Sequence, residues 1–285
     1  MADSASSSVQ RARQGLADQL REIQRDAGLN GRDLAAACGW YPSKVSRLLN
    51  AHTPPSEEDI RAWCRACRVP ERTADLIANL RAVAGMFVEW RRIERAGLKQ
   101  AQEARRPLYE RTHRFRSYSS WLIPGLIQTP GYTEAALRAI QQRRGLVDDV
   151  AAAVASRMER QRVVYEGDRR FAFLVEESVL HSGIGGTSVM RDQLHHLSGV
   201  GSLPNVSLGI VPMRPDRVRW PAEGFWIFDS AQVNVELVSG YLTISQPSEV
   251  AMYAETFAEL SELAGLAVYG PAARELIESA AGLLG

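Results

Sequence analysis

Apolar residues recur through the first eighty positions at spacings of three and four, the period of helices that bury one face. Leu16, Leu20 and Ile23 form such a stripe in a segment rich in Arg, Gln and Asp, predicting a helix over Val9 to Ala27 that Gly28 ends. Between Asn30 and Asn50 two shorter patterns meet at one glycine. Asn30 predicts an N-cap for a helix over Gly31 to Cys38, and Asp33 favours the positive start of that helix. Leu34 and Ala37–Cys38 supply its buried side, while Ala35 leaves room for a crossing helix. Gly39 stands where the chain must turn, and Pro42 suits the first turn of a second helix to about Leu49. That helix buries Val45, Leu48 and Leu49 and shows Ser43, Lys44, Ser46 and Arg47 on its other side. An apolar back with a small, polar, basic front is what a major groove admits. The pattern predicts a helix-turn-helix.

Ser56 with Asp59 predicts a capping box for a fourth helix to about Arg68. A fifth begins near Glu71, where Leu76, Leu80, Val83, Phe87 and Trp90 alternate spacings of four and three. It reads as the core helix that closes the bundle, with a dimer seam as the alternative. From Arg81 to Arg116 the composition turns basic, a solvated helical connector whose sharper reading is a contact along phosphates.

Beyond Pro107 the periodicity mixes. Pro124–Gly125 predicts a turn, and Thr129 an N-cap for a helix from Pro130. Val150 to Tyr165 reads as a helix with Arg157, Arg160 and Arg162 on its polar side. Phe171 to Val175 and Val206 to Val211 read as strands around a helix at Met190 to Leu197, one strand-helix-strand unit. Phe225 to Phe228 and Val233 to Val238 form a hairpin, Tyr241 to Ser245 an edge, and Val250 to Gly265 and Ala272 to Leu284 two closing helices.

A chain of 285 residues with 45% hydrophobic and 24% charged residues has material for two domains. Its net charge of +1 makes any basic surface local. The opening MADSASSSVQ has no apolar core of a secretory signal and reads as a disordered tail. No stretch is long and apolar enough to suggest a membrane span, and three cysteines do not make a disulfide framework, so a cytoplasmic protein is expected.

The chemistry of sites adds little. Cys64 and Cys67 form a C-x-x-C near Cys38 and His52, but a structural zinc needs four converging ligands and no second pair exists. They read as buried small residues. Gly183 to Ser188 lacks the features of a P-loop or dinucleotide fingerprint and reads as a helix start capped by Thr187 or Ser188. His181, His195 and His196 show no metalloprotease spacing. Neither a metal, a cofactor nor a catalytic set is expected. A ligand or partner pocket is suggested by Trp121, Tyr132, Trp220, Phe225 and Trp226, with Glu176 and Glu177 at a strand end.

Two resemblances rest on these residues. Gly39 through Ile60 resembles the lambda-repressor-like, XRE-type helix-turn-helix family, with Ser46–Arg47–Leu48 in the place of its usual Ser-Arg-Ile. The glutamines this family often places at both helix starts are here Gly31 and Pro42, so their contacts do not carry over. The ordered runs Ile123–Tyr132, Ser156–Gln161, Val175–Leu180 and Val189–Leu194 resemble the C-terminal domain of the antitoxin-like, WhiJ-like actinobacterial regulators (DUF5753). That resemblance implies a transcription factor whose neighbour is often a small DUF397-type protein, with the second half sensing a ligand or partner.

The expectation is therefore an α+β chain: residues 1–8 a disordered tail, 9–80 an all-helical helix-turn-helix bundle, 81–106 a basic connector, and 107–285 a mixed α/β sensor-like domain. A homodimeric regulator would bind a double-stranded DNA operator through Arg32, Ser43, Lys44, Ser46, Arg47, Asn50 and His52. The alternative is an antitoxin-like protein that sequesters a small partner, its DNA binding serving only autoregulation.

Overall fold

The computed structural model describes residues 4–213, 223–263 and 267–284. The chain divides into two compact units, Met1–Val88 and Glu89–Gly285.

The first unit is five helices: α1 (Ser4–Asp26), α2 (Gly31–Cys38), α3 (Pro42–Leu49), α4 (Glu57–Ala66) and α5 (Thr73–Met86). Leu16, Leu20 and Ile23 of α1 meet Leu34, Val45, Leu48, Ile60, Trp63, Leu76 and Ile77 in one core. Fully burying a side chain such as Leu34 or Ile60 contributes about 1.5–3 kcal/mol. Trp63 lies at the centre, its Nε1 donating to the Leu20 carbonyl at 3.2 Å. The Arg21 guanidinium donates to the Leu49 carbonyl at 2.5 Å and so ties α1 to the end of α3.

Three expectations are corrected here. Residues 4–8, expected as tail, belong to α1, whose helical start lies well before Val9. Ala37 is exposed and Ala35 is the buried residue, because a helix this short presents a narrow stripe to its neighbours. The apolar seam from Leu76 does not run on to Trp90: α5 ends at Met86, after Gly85, and β1 (Phe87–Glu89) follows. The segment expected as a connector is thus divided between the two units.

In the second unit, α6 (Trp90–Ile93), α7 (Leu98–Glu103) and α8 (Arg106–Arg111) lead to β2 (Arg114–Ser119). Asp149, fifty residues away in sequence, caps α7 by accepting from the Leu98 and Lys99 N–H groups. Next come α9 (Pro130–Arg144), α10 (Val150–Gln161), β3 (Arg170–Glu176), α11 (Glu177–Leu180), α12 (Thr187–Val200) and β4 (Val206–Val211). The chain closes with β5 (Phe225–Phe228), β6 (Gln232–Glu236), β7 (Gly240–Ile244), α13 (Pro247–Ala258) and α14 (Gly270–Gly282). The strands from β2 onward lie in the order β7-β6-β5-β2-β3-β4. β2, β3 and β4 are parallel, whereas β5 runs antiparallel to β2 and begins an antiparallel meander through β6 and β7.

The expected strand-helix-strand unit is present as β3, α12 and β4, and a second one, β2 to β3 through α9 and α10, precedes it. Phe115, Phe171, Phe173, Leu208 and Phe228 line one sheet face and pack with Tyr132, Leu194 and Ile277 in one core cluster. At Gly209 a Cβ would come within 2.6 Å of the Tyr269 ring and 2.8 Å of Leu174, so the strand tolerates no side chain there. Helix α12 begins after Gly186 with no side-chain cap, so neither Thr187 nor Ser188 serves as expected.

Candidate nucleic-acid interface

The helix-turn-helix is built by local hydrogen bonds that the sequence encodes closely. Asn30 Oδ1 accepts from the Arg32 and Asp33 N–H groups at 2.9 and 3.0 Å, opening α2. Gly39 ends that helix in the left-handed region (φ 69°), and its N–H and that of Trp40 return to the Ala36 and Ala35 carbonyls. Tyr41 then extends the chain and Pro42 starts α3, where its missing N–H costs nothing. Val45 and Leu48 anchor α3 in the core, which turns Ser43, Ser46, Arg47 and Asn50 outward.

Of the residues expected to meet DNA, Arg32, Ser43, Ser46, Arg47, Asn50 and His52 are exposed. The Arg47 side chain makes no hydrogen bond or ion pair among the described residues. Asn50 donates its amide to the Ser46 carbonyl at 2.9 Å, one turn back on the same face. An open cleft of about 610 Å³ runs between the start of α2 and the outer side of α3, lined by Arg32, Pro42, Ser46 and Asn50 with Arg21 behind them.

Lys44 departs from the expectation of a free cation. Its Nζ donates to Asp59 Oδ1 at 2.5 Å and lies 4.2 Å from the centre of the Trp40 ring. Asp59 completes the capping box of α4 at the same time, its Oδ2 accepting from the Ser56 N–H at 3.0 Å. Burial alone would push the Asp59 carboxyl up, but the Lys44 bond and the Ser56 N–H and hydroxyl outweigh it and hold it below the usual range. Tyr41 was not anticipated. It is 83% exposed at the head of α3, and its only sequence signal is an aromatic residue directly before the helix-starting proline.

A family described as "Helix-turn-helix domain" matches residues 16–77, the span of this bundle. A second, described as "Domain of unknown function (DUF5753)", matches residues 108–279, more than half of the chain. The chain belongs to the DUF5753 family. No curated protein and no solved structure matches it.

Within the DUF5753 domain the aromatic and acidic residues expected to form one pocket are dispersed. Tyr132 is fully buried, its hydroxyl accepting from the Ile123 N–H at 3.3 Å. Glu176 is buried and accepts from the Tyr118 hydroxyl at 2.5 Å, while Glu177 holds the Met213 N–H. Phe225 and Trp226 are adjacent on β5 and therefore face opposite sides of the sheet. Phe225 meets Tyr118 and Tyr253, whereas Trp226 meets Tyr109, Phe173 and Phe228. Trp121 is half exposed, and Trp220 lies outside the described residues.

The family motifs themselves are joined by a buried amide network. Gln161 donates to the Gly125 and Gln128 carbonyls, Gln128 donates to the Ile123 carbonyl, and Gln193 accepts from the Thr129 N–H while donating to the Ile127 carbonyl. Arg157 and Arg160, expected on the polar side of α10, are corrected to inward positions. Arg160 is buried and Arg157 half-buried, held by Gln102 and Gln128 from other elements. Cys64 and Cys67 sit in the helical core, where burial pushes the Cys67 thiol up to about 11. Among the described residues no helix is long and apolar enough to cross a membrane.

Proposed function

We propose that this chain, a DNA-binding regulatory protein by its helix-turn-helix domain, is a sequence-specific transcriptional regulator that lays α3 in the major groove. The observation that carries the reading is Arg47: an exposed guanidinium without an intramolecular partner among the described residues, on a helix whose opposite side is locked in the core. Arg is suited to bidentate readout of guanine, and Ser43, Ser46 and Asn50 beside it offer short donors and acceptors to base edges or phosphates. Arg32 and the start of α2 suit a phosphate, since a helix N-terminus favours an anion. His52 follows α3 and would contact the backbone. Two copies would present their α3 helices to successive major grooves, so a homodimer on a two-fold operator is the assembly this reading requires. The DUF5753 domain would take the signal, from a small molecule or from a small DUF397-type protein.

The test is a footprint of the purified full-length protein on the region upstream of its own coding sequence. A protected two-fold site that Arg47→Ala weakens supports the reading. Uniform, sequence-independent binding would reject it.

A further inference from the structure

In the second unit three arginines come together around amide oxygens and, among the described residues, a single bonded carboxylate. Arg105, Arg157 and Arg160 lie together against α7, α8 and β6. Arg105 donates to Glu236 Oε1 at 3.1 Å, with its guanidinium 4.7 Å from the Tyr241 ring. Among the described residues Arg157 bonds only amide oxygens, Gln102 Oε1 at 3.1 Å and Gln128 Oε1 at 2.9 Å. Arg160 donates to the Gln102 carbonyl at 3.0 Å and to the same Gln102 Oε1 at 3.1 Å. Two guanidinium groups thus converge on one neutral oxygen, and Arg160 is only 6% exposed with its Nε lacking a hydrogen-bond partner among the described residues.

Carbonyl and amide oxygens satisfy donors but do not cancel charge, and an uncompensated buried cation is costly. Structural arginines are normally answered by carboxylates, as Arg144 is answered by Glu94 in this same domain. Here Glu236 bonds Arg105 and reaches Arg157 and Arg160 only through space. Burial, with Arg160 and Arg105 nearby, pushes Arg157 down to about 9, so it still carries its charge at neutral pH. Burial also pushes the Tyr241 phenol up, which keeps it a neutral donor.

The facing sheet adds unsatisfied polar atoms at the same place. Trp226 pairs with Ser117 on one side and Asn234 on the other, and both Ser117 Oγ and Asn234 Nδ2 are buried without hydrogen-bond partners among the described residues. Tyr109 bridges the two sets, 6.2 Å from Trp226 and beneath the Arg160 guanidinium at 4.7 Å. Glu236 and Arg105 are the partly exposed members of this cluster, their side chains 35% and 19% exposed.

We propose that Arg105, Arg157 and Arg160 form a binding site for a small anion bearing a carboxylate or phosphate group, and that this anion is the signal the DUF5753 domain reads. Forked guanidinium donors match the planar oxygens of both groups, and the aromatic faces of Tyr109, Tyr241 and Trp226 suit an organic remainder. The second clause rests on the sensing role proposed above; the site itself does not.

The full-length protein is titrated calorimetrically with inorganic phosphate and, separately, with citrate, against sodium chloride at matched ionic strength. Saturable binding of either, weakened at least tenfold by Arg157→Gln and by Arg160→Gln, is the expected result, and which anion binds more tightly separates phosphate from carboxylate ligands. Arg116→Gln, in the exposed basic cleft around His113, Arg114 and Arg170, should leave binding intact. Absence of saturable binding, or loss only in Arg116→Gln, overturns the proposal. Should Arg157→Gln not fold, Arg157→Lys keeps the charge without the fork and must still weaken binding severalfold. The footprint reads the regulator proposal separately, so a chain that protects its operator yet binds neither anion loses this site alone.

Discussion

Lys44 Nζ, on the helix proposed to meet DNA, is bonded at 2.5 Å to Asp59 Oδ1, the carboxylate that also closes the capping box of α4. One side chain therefore fixes the start of α4 and holds the only lysine of α3 back against Trp40. The arrangement leaves Arg47 as the basic residue of α3 with a free head, and makes Lys44 a residue that orients the helix.

Removing that carboxylate should loosen the bundle. Asp59→Ala deletes one half of a capping box and one partly exposed ion pair, effects that together cost about 1 kcal/mol. Urea unfolding of the full chain, followed by circular dichroism, should show the helix-turn-helix transition at lower denaturant. An unchanged midpoint would mean that the Ser56 hydroxyl and local packing carry the helix start alone.

The same group sets an acid limit. Asp59 titrates below its unfolded value, so its contribution is complete above the ordinary aspartate range, near pH 4, and is lost as pH falls through the folded value. Thermal midpoints measured from pH 6 down to pH 2.5 should fall less steeply in Asp59→Asn than in the parent. Parallel curves would remove Asp59 from the account.

Much of the bundle was legible because its signals are local. Asn30, Gly39, Pro42, Ser56 and Asp59 act on residues within four positions, and each does what its residue type implies. The second unit was less legible because its partners are remote. Arg157 and Arg160 sit at helical positions where arginine ordinarily faces water, and the Gln102 that draws them inward is more than fifty residues away. β2 was missed because Arg114 and Arg116 alternate with Phe115 in a stretch whose basic composition suggested a connector. Phe225 and Trp226 were placed in one pocket although their adjacency on a strand separates them by a sheet.

Gly39→Ala isolates a backbone effect. A Cβ at this position meets nothing within 4 Å, so packing is untouched, yet the residue must hold a φ of 69°. Left-handed backbone costs a residue with a Cβ roughly 1 kcal/mol. The variant should lose about that much in denaturant unfolding. A loss several times larger would show that the turn is coupled to the seating of α3.

The three thiols should divide by burial. Cys38 is half-buried and Cys64 and Cys67 are enclosed in the helical core. Burial raises Cys38 too, although Arg65 and Lys44 oppose the rise. With an aromatic disulfide reagent at pH 8, Cys38 should react first and the other two only as the bundle opens, since the thiolate is the nucleophile. Rapid modification of Cys67 in the folded protein would show that the core around α4 opens far more readily than its burial implies.

Arg47 and Lys44 lie three residues apart on one helix, and their substitutions should part company. Arg47→Ala removes the unengaged guanidinium; if it is bidentate to guanine, binding should weaken by about 1–3 kcal/mol, with base preference relaxed at one position of each half-site. Lys44→Ala breaks a bond to Asp59 instead, so it should lower the stability of the bundle while leaving base preference at every position intact. Binding measured across a panel of single-base operator variants, at one fixed salt concentration because the phosphate contribution is salt-dependent, separates the two. If Lys44→Ala is the variant that relaxes a base preference, the Asp59 bond must open on DNA and the reading face turns toward Lys44. If neither does, α3 is not the helix that reads sequence.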